Sequence, residues 1–279
     1  MIRSYYKRIL CMLIAVSYAC VLSSCGNNVE HSITIAGSTS VQPYAEMLME
    51  EFAHIRPDIA IDIQGGGSSA GITAVESGAA DIGMSSRSLK EKESGLIPIE
   101  IALDGLAVIV HPKNPVSDLT AEQICDIYMA KITNWKDVGG NDAKIHIISR
   151  EEGSGTRSAF EELLMEKKPV TPKAIVQNSN GTVRQLVCDD VNAIGFISLG
   201  LVEQLGTKPV KALAIDGVAA SQENIENGSY KLYRPFLFVL KEEPQGATKE
   251  FIDYVLSEEG QKLLVDEGLI LSLKKGNSK

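Results

Sequence analysis

Glycines and small hydroxyl-bearing residues gather in four short segments of the chain, and their types suit the binding of a small anion. The segments are AGSTS at 36–40, GGGSSAG at 65–71, MSSR at 84–87 and REEGSGTR at 150–157. Glycine lets backbone N–H groups approach a ligand closely, serine and threonine add short O–H donors, and arginine adds a planar charged fork. Many donors and one fixed cation, Arg150, describe a site for a compact oxyanion that has lost its water.

Each of the four segments follows a predicted strand, and three of them lead directly into a helix. In open α/β sheets ligands bind outside the carboxyl ends of the strands, and a helix N-terminus offers unpaired N–H groups with a partial positive charge. Taken singly, a GSTS segment is more often only a helix cap, and a GGGSSAG segment only a turn. The second segment also lacks the Gly-Lys-Ser/Thr ending of a triphosphate-binding loop. Because the four segments occupy matching positions, the sequence predicts one shared anion site.

Three nearby features have two interpretations each. Arg87 and Arg157 either face the anion site or point away from it. The Asp104-Gly105 pair, which precedes an apolar strand, is either a further part of the site or a turn.

The sequence does not favour an enzyme. A nucleophilic serine in Gly153-Ser154-Gly155 would need a base within reach, and no histidine sits in a cluster with serine or aspartate. No HExxH pattern or paired His–carboxylate spacing indicates a catalytic metal. We therefore expect no catalytic residue, metal or cofactor. A hydrolase acting on phosphate esters is the weaker alternative.

The elements that must position these segments alternate between strand and helix. Short β-branched or apolar runs predict strands at 32–36, 59–63, 81–84, 106–110, 145–148 and 235–240. Helical spacing of apolar residues follows several of them, and Thr120 with Gln123 forms a candidate capping box. Two final helices are predicted at 248–256 and 261–264. This alternation predicts an α/β fold with mostly parallel sheets. The runs 106–110 and 235–240 are candidates for strands that cross between two lobes.

The N-terminus resembles a lipoprotein signal. Arg3, Lys7 and Arg8 precede an apolar run over 9–22, and the segment ends in Leu-Ser-Ser before Cys25. The run is shorter than the ~20 residues that span a bilayer, so residues 1–24 are predicted to be a cleaved signal peptide. Cys25 is the predicted lipidation site, carrying a palmitate-type anchor, and residues 25–30 form a polar tether. The predicted location is extracytoplasmic, on a membrane surface.

Charge and cysteine content limit the partners. Loss of the three basic signal residues takes the formal net charge from −9 to −12, which argues against a nucleic-acid partner. A small anion is still compatible with this charge, because a buried anion site responds to local dipoles. Cys125 and Cys188 form either a disulfide or two buried thiols.

The segments together resemble one family, the phosphate-binding subunits of bacterial high-affinity phosphate ABC transporters. The matching stretches run in family order along nearly the whole mature chain: AGSTSVQP, IQGGGSSAGI, ADIGMSSR, ITNWKDVGG, SREEGSGTR and FIDYVLSEEGQKLL. The resemblance implies a two-lobed periplasmic-binding-protein fold of type II, with hinge strands between the lobes. One lobe would comprise 31–108 plus 237–279, and the other 109–236. The protein would pass inorganic phosphate to a membrane permease, while a separate subunit hydrolyses ATP.

The resemblance also implies roles for individual residues. Ser38, Thr39 and Ser40 would hold phosphate through hydroxyls and amides, and Ser68 would add a donor. Ser154, Gly155 and Thr156 would add donors from the other lobe, and Arg150 would supply the charge.

Ser86 departs from the family pattern, since many members carry an aspartate at this position. That aspartate accepts a hydrogen bond from protonated phosphate and repels fully ionised sulfate. A serine can still accept a hydrogen bond, but it carries no charge. Phosphate is the expected ligand, and another oxyanion such as sulfate is the alternative.

Overall fold

The computed structural model describes residues 31–202 and 209–271. The predicted signal peptide, Cys25 and the tether over 25–30 lie outside the described residues. Within the described ranges, no helix is long and apolar enough to cross a membrane.

Strands and helices alternate along the chain as the sequence predicts. The strands of the described ranges are β1 (His31–Gly37), β2 (Ile59–Gly65), β3 (Ile82–Ser85), β4 (Ile97–Val110), β5 (Asp118–Leu119), β6 (His146–Arg150), β7 (Ile175–Gln177), β8 (Ala193–Ser198), β9 (Lys211–Ala212), β10 (Ala214–Ile215) and β11 (Tyr233–Leu240). The helices are α1 (Gln42–Ile55), α2 (Ser68–Ser77), α3 (Ala121–Tyr128), α4 (Gly155–Leu163), α5 (Asn180–Asp189), α6 (Gln222–Glu226), α7 (Gly246–Val255) and α8 (Glu258–Asp266). The predicted α/β class is confirmed.

The main sheet changes strand direction at its centre. Its order is β2-β1-β3-β11-β4-β8-β6-β7, with β9 paired to β4. The pairs β1–β2, β1–β3, β6–β8 and β6–β7 are parallel, whereas β11 and β4 run antiparallel to their neighbours. The parallel strands therefore form two groups, which the antiparallel strands β4 and β11 join.

The strand β4 is longer than the predicted run at 106–110. Its first part, 97–105, pairs with β11, and its last part, 106–110, pairs with β8. Two hydrophobic clusters pack on either side of this junction. One contains Ile33, Ile35, Phe52 and Phe238, and the other is built around Trp135 and the aromatic residues of the second half. A single strand thus contributes to both cores.

Local sequence signals set the helix starts. The predicted capping box is present: Thr120 Oγ1 accepts a hydrogen bond from the Gln123 N–H at 3.1 Å, and Gln123 Oε1 accepts one from the Thr120 N–H at 2.9 Å. Pro43 lies in the first turn of α1, where a missing N–H leaves no helical bond unmade.

Cys125 and Cys188 are free thiols in the structure. Cys125 is buried in the core of the second half, whereas Cys188 is half-buried, with its Sγ 3.4 Å from the Pro209 carbonyl oxygen. Cys125 therefore agrees with the prediction of a buried thiol. Cys188 is neither in a disulfide nor fully buried, so it agrees with neither prediction.

Gly37 ends β1 in a conformation that a side chain would disturb. Its φ is +139°, and a Cβ there would lie 2.3 Å from the Met84 carbonyl oxygen, which also accepts the Ser38 N–H at 2.9 Å. We expect Gly37→Ala to lower the free energy of unfolding by roughly 3 kcal/mol. Urea denaturation measures this change.

Gly95→Ala is the matched control, because Gly95 is exposed and a Cβ there meets nothing within 4 Å. It should change the free energy of unfolding by less than about 0.5 kcal/mol. Equal stability of the two variants would contradict the close approach at Gly37.

Candidate functional site

The four polar segments meet where the parallel strands end. Gly37 is in register with Gly65 on one side and with Met84 on the other, so the segments that follow β1, β2 and β3 lie side by side. In the second group, β6 ends at Arg150, in register with Gln177 of β7. Carboxyl ends of parallel strands are where α/β folds place ligands, as the sequence predicts.

Three serines of the first group form one buried cluster of hydroxyls. The Ser38 hydroxyl donates to Ser86 Oγ at 2.8 Å, and Ser68 Oγ lies 3.3 Å from Ser86 Oγ. The Ser86 N–H also donates to Ser68 Oγ at 3.0 Å. All three residues are at most 2% exposed. Hydroxyl hydrogens rotate freely, so such a cluster can offer several donors to an anion or accept a hydrogen bond from a protonated one.

Residues of the two strand groups touch across the site. Ser40 Oγ lies 2.8 Å from Thr156 Oγ1, and Arg150 Nη2 donates to Thr39 Oγ1 at 3.3 Å. A backbone bond joins the Ser69 N–H to the Gly153 carbonyl oxygen at 3.1 Å. The site is therefore closed, with both groups contributing polar atoms.

Arg150 is the cation that the sequence predicts, and its guanidinium is almost fully buried. Nε and Nη2 donate to the two carboxylate oxygens of Glu151 at 3.0 and 2.9 Å, and backbone carbonyl oxygens of Gln177 and Asn178 accept at 3.3 Å. Glu151 itself remains partly exposed to water. A carboxylate that water screens reduces the field of Arg150 only in part, so the buried guanidinium keeps an attraction for an anion.

Helix N-termini surround the hydroxyls. The helix α2 begins at Ser68, α4 begins at Gly155, and α5 begins at Asn180. Each has nine or ten residues, which is enough for an aligned dipole to place partial positive charge at its start. Their free N–H groups and the hydroxyls together form a donor-rich enclosure.

Gly155 permits the close approach of the two groups. A Cβ at this position would lie 2.2 Å from Ser68 Oγ and 2.6 Å from Ser86 Oγ. The first residue of α4 therefore sits directly against hydroxyls of the first group, at a distance that only glycine allows.

The structure brings eight of the nine predicted ligand residues into one cluster, through hydrogen bonds or close approach: Ser38, Thr39, Ser40, Ser68, Ser86, Arg150, Gly155 and Thr156. Ser154 differs in that its hydroxyl caps α4, accepting the Arg157 N–H at 3.2 Å.

The remaining arginines of the segments pair with carboxylates nearby. Both terminal nitrogens of Arg87 donate to Glu93, at 2.8 and 3.0 Å, and both side chains are buried. Arg157 donates to Glu161 at 2.8 Å, one turn along α4. Of the two interpretations for these arginines, pairing outside the hydroxyl cluster is the correct one.

Asp104 does not lie in a turn. It is fully buried in the middle of β4, where it accepts hydrogen bonds from Arg234 and from the Ser198 hydroxyl. Burial raises the pKa of the Asp104 carboxyl and lowers that of the Arg234 guanidinium, and their mutual attraction opposes both shifts. The attraction between the two groups favours the charged form of each.

Two residues of the cluster were not identified from the sequence. The side-chain amide of Asn180 lies 2.8 Å from Ser40 Oγ, and Arg234 Nη2 donates to Ser40 Oγ at 3.2 Å. The signal for Asn180 is the NSNGT segment between a short strand and a helix, the same pattern as in the four predicted segments. The signal for Arg234 is a single charge within the otherwise uncharged run 233–240.

The chain is similar to known phosphate-binding proteins in both sequence and structure. The profile of the PBP superfamily domain matches residues 23–259. The phosphate-binding protein PstS of Bacillus subtilis is 32% identical over 95% of this chain and 94% of its own length.

Two solved structures match in both sequence and fold. One, from Clostridium perfringens, is assigned as a phosphate ABC transporter substrate-binding protein and contains bound phosphate. It is 48% identical, with a TM-score of 0.81, over 86% of this chain and 99% of that one. The other, an ABC-type phosphate transport receptor from Vibrio cholerae, is 43% identical, with a TM-score of 0.71, over 86% of this chain and all of that one.

Proposed function

This chain belongs to the PBP superfamily and, within it, to the family of PstS phosphate-binding proteins, and from that premise we propose that it binds inorganic phosphate for import by an ABC transporter. The observation that carries the proposal is the buried cluster of hydroxyls and one arginine between two strand groups. Its relatives are named as binding proteins, which agrees with a role in capture.

The chemistry of the cluster supports phosphate as the ligand. A tetrahedral oxyanion has four oxygens pointing in different directions, so it needs donors on several sides. Ser38, Ser68 and Ser86 stand on one side, and Thr156 and the start of α4 on the other. Arg150 adds charge-assisted bonds, which are about twice as strong as those between neutral groups.

The proposed mechanism is hinged capture. We assign 31–108 plus 237–279 to one lobe and 109–236 to the other, joined through β4 and β11. Phosphate would first meet the serines and helix starts of one lobe, and closure would then bring the donors of the other. Closure is favoured only to the extent that the closed form contacts phosphate better than the open form does. The closed surface would then dock on the permease.

Ser86 bears on the choice between phosphate and sulfate. It lies at the centre of the hydroxyl cluster, fully buried, with Ser38 and Ser68 as its partners. A hydroxyl can accept a hydrogen bond from protonated phosphate, but it adds no negative charge to repel sulfate. We therefore expect a preference for phosphate that is weaker than a carboxylate at this position would give.

We propose binding without turnover. The Ser154 hydroxyl is held as a helix cap, and no histidine of the described residues is hydrogen-bonded to the cluster's serines. A serine nucleophile requires such a base. Site-dependent hydrolysis of a chromogenic phosphate ester would overturn this part of the proposal.

The N-terminal sequence supports a location outside the cytoplasm. We propose that signal processing leaves Cys25 as a lipidated N-terminus, and that residues 25–30 tether the binding domain to a membrane surface. Labelled palmitate should enter the native chain in cells and should not enter a Cys25→Ser variant, which should be released from the membrane fraction. Equal labelling of the two chains would contradict the anchor.

Arg150→Gln tests the ligand assignment. It removes the buried charge and its hydrogen bonds, so phosphate affinity measured by calorimetry should fall at least about 30-fold. Arg56→Gln removes one charge from a partly exposed ion pair and should leave the affinity within about twofold.

The same titrations with sulfate and arsenate test the choice of oxyanion. A native chain that bound sulfate and not phosphate would reverse the assignment. Unchanged phosphate affinity in Arg150→Gln would place the ligand elsewhere.

Gly155→Ala tests closure. The added methyl group would press on Ser68 Oγ and Ser86 Oγ and hold the lobes apart, so phosphate affinity should fall at least about tenfold with little change in the stability of the ligand-free protein. Gly153→Ala is the matched control, since a Cβ there meets only Ser69 at an ordinary 3.8 Å. Equal affinities of the two variants would argue against closure at this contact.

A further inference from the structure

A second buried arginine reaches the site from the strands that join its two halves. Arg234 of β11 lies opposite Asp104 of β4 in the antiparallel register. Its Nε and Nη2 donate to Asp104 Oδ2 at 3.2 and 3.1 Å, and the Ser198 hydroxyl donates to Asp104 Oδ1 at 2.7 Å. Asp104 and Arg234 are 0% and 3% exposed, so the pair lies entirely within the protein.

The guanidinium of Arg234 also contacts the hydroxyl cluster. Nη2 also donates to Ser40 Oγ at 3.2 Å, and Ser40 Oγ contacts Thr156 of the other strand group. Ser40 is thus the point at which Arg234 and both halves of the site meet.

One nitrogen of this arginine has unused donors. Arg234 Nη1 is buried and makes no hydrogen bond within the described part of the chain. Buried N–H groups almost always find a partner, and a cationic donor without one is especially unfavourable. Asp104 already fixes the guanidinium through Nε and Nη2, so Nη1 is the nitrogen that remains able to donate to another group.

The pair is not needed to align its strands. Backbone pairing of β11 with β4 extends from Tyr233 to Leu240, and an apolar pair of similar size at positions 104 and 234 would commonly be as stable as a buried ion pair. A buried arginine that touches a proposed ligand residue and keeps a free donor points instead to a role in binding.

We propose that Arg234 is a second ligand-binding arginine of the site: Asp104 holds its guanidinium, Nη2 positions Ser40, and Nη1 donates to the bound phosphate. This inference rests on the proposed function. It adds to the nine predicted ligand residues one from the strands that join the lobes. Since Asp104 balances its charge, Arg234 contributes directed N–H donors more than net positive charge.

The test replaces the whole pair, in the double variant Arg234→Met with Asp104→Leu, so that no unpaired charge remains buried. Calorimetry measures phosphate affinity, and urea denaturation measures the stability of the ligand-free protein. We expect a urea midpoint near that of the native chain and phosphate binding at least tenfold weaker. A folded double variant that binds phosphate within twofold of native would overturn the proposal.

A second variant tests the proposal if the double variant does not fold. Arg234→Lys keeps a cation opposite Asp104, but its single ammonium nitrogen cannot stand at the three positions that Nε, Nη1 and Nη2 occupy in the planar fork. Phosphate binding by the folded lysine variant should weaken at least fivefold, and native affinity would overturn the proposal.

A Ser40→Ala background separates direct binding from positioning. There, replacing the pair should still weaken phosphate binding, because the Nη1 contact does not pass through Ser40. No further loss in that background would overturn the direct contact.

The native chain and Arg150→Gln are titrated alongside. If the native chain does not bind phosphate, the proposed function itself fails. If the native chain binds phosphate and Arg150→Gln weakens it while the pair variant does not, only the role of Arg234 fails.

Discussion

A phosphate ion that leaves water must exchange its hydration shell for donors on all of its sides, because a buried anion without partners is strongly disfavoured. One loop at one strand end can surround only part of such an ion. The structure meets this requirement with two groups of parallel strands whose carboxyl ends face one site, so that Ser38, Ser68 and Ser86 stand opposite Thr156 and the start of α4. The buried hydroxyls, the helix N-termini and Arg150 are the donors that replace the water around the ion.

The same requirement explains the antiparallel centre of the sheet. The strand β4 contributes to both halves, and β11 pairs with its first part and with β3. These strands connect the two sets of donors, and each set keeps its own hydrophobic core. Glycine is needed where the backbone itself comes close, at Gly37 beside Met84 and at Gly155 beside Ser68 and Ser86. Side chains at these points would occupy the space that the donors must share.

Much of this arrangement could be predicted from the sequence, because segments that end strands and begin helices have a local signature. Eight of the nine predicted ligand residues lie in the cluster, Ser154 caps the helix beside it, and the α/β class and the capping box at Thr120 are confirmed. Asn180 was missed because its strand, β7, has only three residues and gives little periodic signal. Arg234 was missed because its relation to Ser40 depends on the pairing of β11 with β4, which no local pattern encodes. The pairing of Arg87 with Glu93 likewise follows no helical spacing, whereas that of Arg157 with Glu161 is a local i, i+4 pair.

The most direct test of the central claim is a crystal structure of the chain with phosphate. We predict one phosphate ion enclosed between the two halves, within hydrogen-bond distance of the Arg150 guanidinium and of hydroxyls from both sides, Ser38 and Thr156 among them. Phosphate bound at the outer surface, or held by one half alone without contact to Arg150, would contradict it.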